Sequence, residues 1–246
     1  VVCIAMMVPT VAFAATSSPT KVNVKSATAK SLTYNAKSQT TTIVVNGKTL
    51  TLNKDFKVVS GSLKATKAGT YTVKIKGIGN YSGDTTVKYT VNAQQSYKAT
   101  AAAKTYNAKN QTTKVTVKYG NTVLKRGTDY KITGVTRAKN AGKYKITVKG
   151  INNYKGTKTI YYTINKAAQK SVKVKVNASK KKITVSGVKA KAKVTYKSAN
   201  KKVKVKNGKI TVGKGVKKGT KVRITVKVAA TKNYKAYSKS IIYKVK

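Results

Sequence analysis

The stretch AGTYTVKIKGIGNYSGDTTVKYTVN at 68–92 returns without a gap as AGKYKITVKGINNYKGTKTIYYTIN at 141–165, identical at 13 of 25 positions. Upstream of each copy stands a second shared motif, Tyr34-Asn35-Ala36-Lys37 and Tyr106-Asn107-Ala108-Lys109, each followed by one residue and then Gln-Thr-Thr. A diverged third copy follows, in which KGTKVRITVK at 218–227 and Asn233-Tyr234 echo KYKITVK at 143–149 and Asn153-Tyr154. Self-similarity at a fixed period marks an array of like domains. The repeats are therefore assigned to 19–93, 94–167 and 168–246.

Inside each repeat the apolar period is two. Val172, Val174 and Val176 alternate with Lys173 and Lys175, Val203 and Val205 with Lys204 and Lys206, and Ile224, Val226 and Val228 with Thr225 and Lys227. Alternation of this kind puts one face of a strand in a core and the other in water. Asn46-Gly47, Gly61, Gly120-Asn121, Asn207-Gly208 and Gly213 punctuate the runs as turn residues do, and no stretch has the spacing of an amphipathic helix. The pattern predicts an all-β chain of tandem antiparallel β-sandwiches, with six to eight short strands per repeat. Lysines pointing outward along such strands also hinder edge-to-edge association.

Tyr34-Asn35-x-Lys37, Gly47-Lys48-x-Leu50, Asp55-Phe56, Ala68-Gly69 and Gly77-x-Gly79-Asn80-Tyr81-x-Gly83 resemble the immunoglobulin-like repeats of clostridial and related Gram-positive surface proteins. The second repeat follows with Leu124, Asp129-Tyr130, Ala141-Gly142, Gly150, Asn153-Tyr154 and Gly156. The third is similar to the group 2 bacterial Ig-like type, through Val194-x-Tyr196-Lys197-Ser198-x-Asn200, Gly208-Lys209-Ile210-Thr211, Gly219-Thr220, Ile224-Thr225-Val226 and Ala229 to Tyr234. The resemblance implies an Ig-like fold and a place in stalks, spacers and adhesive arrays. It names no one activity, because such modules accompany many.

Composition removes most catalytic chemistries. The chain has 54 Lys+Arg against 3 Asp+Glu, no His and one Cys. Without imidazole or Glu, and with only Asp55, Asp84 and Asp129 as carboxylates, it can assemble neither a Ser-His-Asp triad nor a pair of catalytic acids nor a calcium cage. No enzyme activity, cofactor or metal is expected. Asp55 and Asp129 each precede an aromatic residue and read as turn residues. The other reading open to them, as the acid of a Lys–Asn isopeptide crosslink, lacks a counterpart in the third repeat. Asn80-Tyr81, Asn153-Tyr154 and Asn233-Tyr234 read as corner anchors, with the ring in the core, the hydroxyl on backbone and the Asn in the turn conformation.

Residues 1–14 are uncharged, mostly apolar and close with Ala12-Phe13-Ala14, the small-x-small signature of a signal peptidase site, and 15–18 follow as a polar leader. The segment reads as a truncated signal peptide. Cys3 lies inside it, so the mature chain is expected to be cysteine-free and held by packing alone. A secreted or cell-surface location of the Gram-positive type follows, with no membrane span in the mature chain.

The formal charge is +51, and apart from Arg126, Arg137 and Arg223 every cation is lysine. Lysine is a hydrated point charge without the planar fork that reads base edges, so the basicity points to delocalised attraction toward polyanions. The competing reading is a compositional bias toward lysine with no ligand. Charge rises along the repeats, and the third holds no carboxylate at all. Lys180, Lys181, Lys182, Lys189, Lys191, Lys193, Lys201, Lys202, Lys204 and Lys206 are therefore the expected contacts. The expected partners are wall teichoic acid, acidic polysaccharide or extracellular DNA. Two other functions fit the same sequence: a spacer of a larger cell-wall enzyme, and a non-specific nucleic-acid-binding protein.

Overall fold

The computed structural model describes residues 20–246. The assigned signal peptide, leader and Cys3 lie outside them. Two compact units are formed, one of residues up to Gln94 together with Asn152–Tyr154, the other of Gln95–Ile151 and Lys155–Lys246.

In the first unit, Gly69–Gly77 and Asp84–Asn92 form an antiparallel ladder running from Asp84 opposite Lys76 to Val91 opposite Gly69. Phe56–Gly61 joins one side, with a register shift between Val58 and Ser60, and Leu32–Thr33 the other. A second sheet of Thr28–Ala29, Ile43–Val45 and Lys48–Thr49 lies opposite. Ile43 and Val45 of one sheet share a core with Val73, Ile75 and Val87 of the other. This is the predicted sandwich. Asn46 and Gly47 both take left-handed backbone, φ 47° and 79°, as a tight hairpin matching strand twist requires.

The second unit repeats this pattern and then departs from it. Gly142–Gly150 and Thr157–Asn165 take the places of the long ladder, flanked by Tyr130–Gly134 and Lys104–Thr105. Lys98–Ala101, Val115–Tyr119 and Thr122–Val123 form a three-stranded sheet of their own. The third repeat has seven strands: a sheet ordered Lys173–Asn177, Lys182–Ser186, Lys209–Val212, Val203–Lys206, and a sheet of Val194–Ser198, Lys221–Val228 and Tyr237–Lys244. Their shared core contains Val174, Ile183, Val203, Ile210, Ile224, Val226 and Tyr243.

Two expectations need correction. Among the described residues the first repeat contains eleven strands rather than six to eight, the excess being two-residue strands that show too little alternation to be recognised by period. The sheets are also not wholly antiparallel. Val22–Asn23 runs parallel to Tyr81–Ser82, Leu32–Thr33 to Val91–Asn92, and Lys104–Thr105 to Ile164–Asn165. These short edge strands reach their partners after a long excursion of chain, so neither neighbour in sequence nor hairpin chemistry announces them.

Candidate anion-binding surface of the third repeat

Alternation in the third repeat sends valine and isoleucine inward and lysine outward on both sheets. On the four-stranded sheet, Lys182 stands opposite Lys209, and Lys209 stands opposite Lys206 on its other side. Three cations thus form one row across three strands. The hairpin that places the last two is closed by Asn207 and Gly208, φ 47° and 81°. A Cβ on Gly208 would run into the Ile183 carbonyl, so this turn tolerates no larger residue there.

One end of this row, Lys206, reaches the first of three adjoining grooves. One of about 550 Å³ is lined by Lys197, Lys201, Lys204 and Lys206, with Tyr196 and Ser198. Burial pushes the Tyr196 phenol above its ordinary pKa, so it remains neutral among the ammonium groups. A groove of about 520 Å³ shares Asn200 and Lys201 with it and adds Lys202, Lys217 and Thr220. Another of about 330 Å³ shares Lys197 and Ser198 and adds Ala199, Arg223, Thr225 and Lys227.

All ten sequence-selected lysines are exposed, but the fold separates them. Lys201, Lys204 and Lys206 meet in one groove and Lys202 in the next. Lys182 joins them only through Lys209. Lys180 and Lys181 lie at a hairpin end, where Lys180 N donates to Asn177 Oδ1 at 2.9 Å and Lys181 takes φ 43°. Lys189, Lys191 and Lys193 sit in the connection before Val194–Ser198 and line none of these grooves. Lys197, Lys209, Arg223 and Lys227 were missed. Their signal was present as strand parity, since each is an outward residue between two inward ones, but a search for dense lysine runs passes over it.

Two of the three carboxylates are committed elsewhere. Asp55 Oδ2 accepts from Thr51 N and Asp129 Oδ2 from Lys125 N, each at 2.8 Å. Both bonds close the turn ahead of Phe56 and Tyr130 by reaching backward along the chain, unlike an Asx-turn. Among the described residues no group of three or more His, Cys, Asp or Glu is placed to hold a metal ion.

The Asn-Tyr dipeptides depart from expectation in the backbone of the asparagine. The left-handed residue is the one before, Gly79 or Asn152, and neither Asn80 nor Asn153 has positive φ. Tyr81 and Tyr154 are buried, as expected of rings that anchor a corner. The side chains of Asn153 and Asn233 cap a distant turn. Within the first unit Asn153 Oδ1 accepts from Ala68 N at 2.8 Å, and the Tyr154 ring meets Tyr34 edge-on at 5.6 Å. Within the second unit Asn233 Oδ1 accepts from Ala141 N at 2.8 Å, its Nδ2 donates to Asn140 Oδ1, and Tyr234 meets Tyr106 edge-on at 5.4 Å. The Ala-Gly and Tyr-Asn-Ala-Lys motifs are thus the receiving side of a recurring contact.

No family model and no curated protein matches the chain. Among solved structures, Drosophila N-cadherin EC1-4 aligns over 89% of this chain and 73% of its own, at 11% identity and TM-score 0.25. The Sidekick-1 immunoglobulin domains 1–5 align over 90% and 58%, at 12% identity and TM-score 0.25. The human desmocollin-1 ectodomain aligns over 92% and 60%, at 9% identity and TM-score 0.23. The chain thus spans less than two thirds of the latter two. The class of protein rests on its own strands: an all-β array of β-sandwiches. No helix among the described residues is long and apolar enough to cross a membrane.

Proposed function

We propose that the chain is a non-catalytic, secreted or cell-surface repeat protein of the Gram-positive Ig-like kind, acting as a stalk whose basic third repeat adheres to anionic polymers. The observation that carries this reading is the set of adjoining grooves lined by Lys197, Lys201, Lys202, Lys204, Lys206, Lys217, Arg223 and Lys227, in a repeat without a carboxylate. Cations held this close repel one another, and an anionic polymer laid along them removes that repulsion while releasing its own counterions. Lysine in place of arginine suits a ligand recognised by charge density rather than by base sequence.

The experiment is retention of the full chain on immobilised wall teichoic acid, heparin and duplex DNA over a salt series. Neutralising about six phosphates gives a log–log slope of about −5 on duplex DNA. Strong, steeply salt-dependent retention supports the adhesive reading, and preference for teichoic acid assigns the wall as its site. Equal and weak retention on all three favours the spacer instead.

A further inference from the structure

The smallest of the three grooves differs from its neighbours in donor chemistry. Thr225 lines it from the middle strand of the three-stranded sheet. Lys197 stands directly opposite Thr225 on the adjoining strand, and Arg223 and Lys227 lie two residues to either side on the same outward face. All four line the same groove of about 330 Å³. On the other side Thr225 Oγ1 lies 3.0 Å from Ser240 Oγ, so a hydroxyl pair sits among the cations. The strand is fixed from both edges, with Ala199 N donating to Arg223 O at 2.9 Å and Ile242 paired opposite Arg223.

We propose that Lys197, Arg223, Thr225 and Lys227 form a subsite that grips one phosphoryl or sulfuryl group of an anionic polymer. This deepens the polyanion reading and rests on it. Arg223 is the only arginine of the repeat, and a guanidinium engages two oxygens of one anion, which an ammonium does not. The donors are spread along the strand and across it, around a hydroxyl. That spread suits a tetrahedral oxyanion, whose oxygens point in several directions, better than a planar carboxylate. No carboxylate of the repeat competes for these cations. Lys197 and Ser198 belong equally to the groove of Lys201, Lys204 and Lys206. A polymer gripped at Arg223 therefore continues along the lysines, which supply attraction without specific geometry.

The test measures binding of the full chain to inorganic polyphosphate, dextran sulfate and polygalacturonate, at physiological salt, for the parent and for Arg223→Lys, Arg223→Gln and Lys173→Gln. Lys173 is an exposed, outward residue of the other sheet and lines none of the three grooves. Arg223→Lys keeps the charge and loses the fork, and it is expected to weaken polyphosphate or dextran sulfate binding about tenfold, nearly as much as Arg223→Gln. Lys173→Gln is expected to weaken it less than about threefold, as one surface charge among many. On polygalacturonate, Arg223→Gln and Lys173→Gln should lose equally. Loss on polyphosphate alone assigns a phosphoryl ligand, and loss on dextran sulfate alone a sulfuryl one. A parent that binds while Arg223→Lys binds like it overturns the subsite and leaves the polyanion reading standing. A parent that binds none of the polymers overturns both.

Discussion

Lys206 and Lys209 stand directly opposite each other across the Asn207-Gly208 hairpin, with Lys182 flanking Lys209 on its other side. The corresponding idea is balanced in the first repeat, where Lys76 has Lys57 on one side and Asp84 on the other. In the second repeat that acid is gone, and Lys149 lies between Lys131 and Thr157.

Replacing the middle of the row, Lys209→Glu, should stabilise the fold by about 0.5–1 kcal/mol, because like charges directly opposite on a sheet are repulsive and opposite ones attract. The same change should reduce the salt slope of polyanion retention by at least about one. Denaturant unfolding and salt-gradient elution of one variant check both. A stability that falls along with retention would mean the row is not under repulsive load.

Salt should stabilise the folded chain. At about 0.01 M salt the screening length is about 30 Å, enough for lysines throughout a sandwich to repel one another, and at about 0.15 M it is about 8 Å. Thermal unfolding should move to higher temperature over that range, with the transition that includes the third repeat moving furthest. A flat profile would refute self-repulsion as a factor.

Asn233→Ala removes the acceptor for Ala141 N and the donor to Asn140 Oδ1. A loss of about 1–2 kcal/mol is expected in the second unit. Amide exchange is the direct readout: the Ala141 N–H should exchange much faster in the variant.

Two tyrosines should respond oppositely to loss of the hydroxyl. Tyr89 donates to Ser62 O at 3.0 Å, so Tyr89→Phe should cost about 1 kcal/mol. Among the described residues nothing hydrogen-bonds the buried Tyr243 hydroxyl, so Tyr243→Phe should be neutral or stabilising by about 1 kcal/mol. Paired unfolding curves decide it.

Alkali should unfold the chain through its buried phenols. Burial raises the Tyr89 and Tyr162 pKa values, and the stacked neighbours Tyr71 and Tyr144 add to the rise by charge. A raised folded-state value means these groups' contribution to stability is intact below pH about 10 and is lost as pH climbs through the folded pKa. Phenolate absorbance should therefore titrate late for these rings, and together with loss of near-ultraviolet circular dichroism.

The sandwich was legible because the information lies in near neighbours. Val172, Val174 and Val176, or Ile224, Val226 and Val228, declare their inward face by alternation alone, and the structure buries Val172, Val174 and all three of the latter set. Asn46-Gly47 and Asn207-Gly208 declare their hairpins because few residues accept two successive positive φ values. The net charge and the absence of His and Glu were likewise a matter of counting.

Position across strands was not legible. Lys182 meets Lys209, and Lys197 meets Thr225, through ladders whose register depends on how the sheets pack. Arg223 became a candidate only once the grooves placed it beside Lys197. Asn233 shows the same limit at longer range, since its hydrogen bond to Ala141 spans 92 residues. Periodicity acts over two residues and decides which way a side chain faces. Which other side chain it meets is set by strand order and register, and those follow from burying the whole apolar face at once.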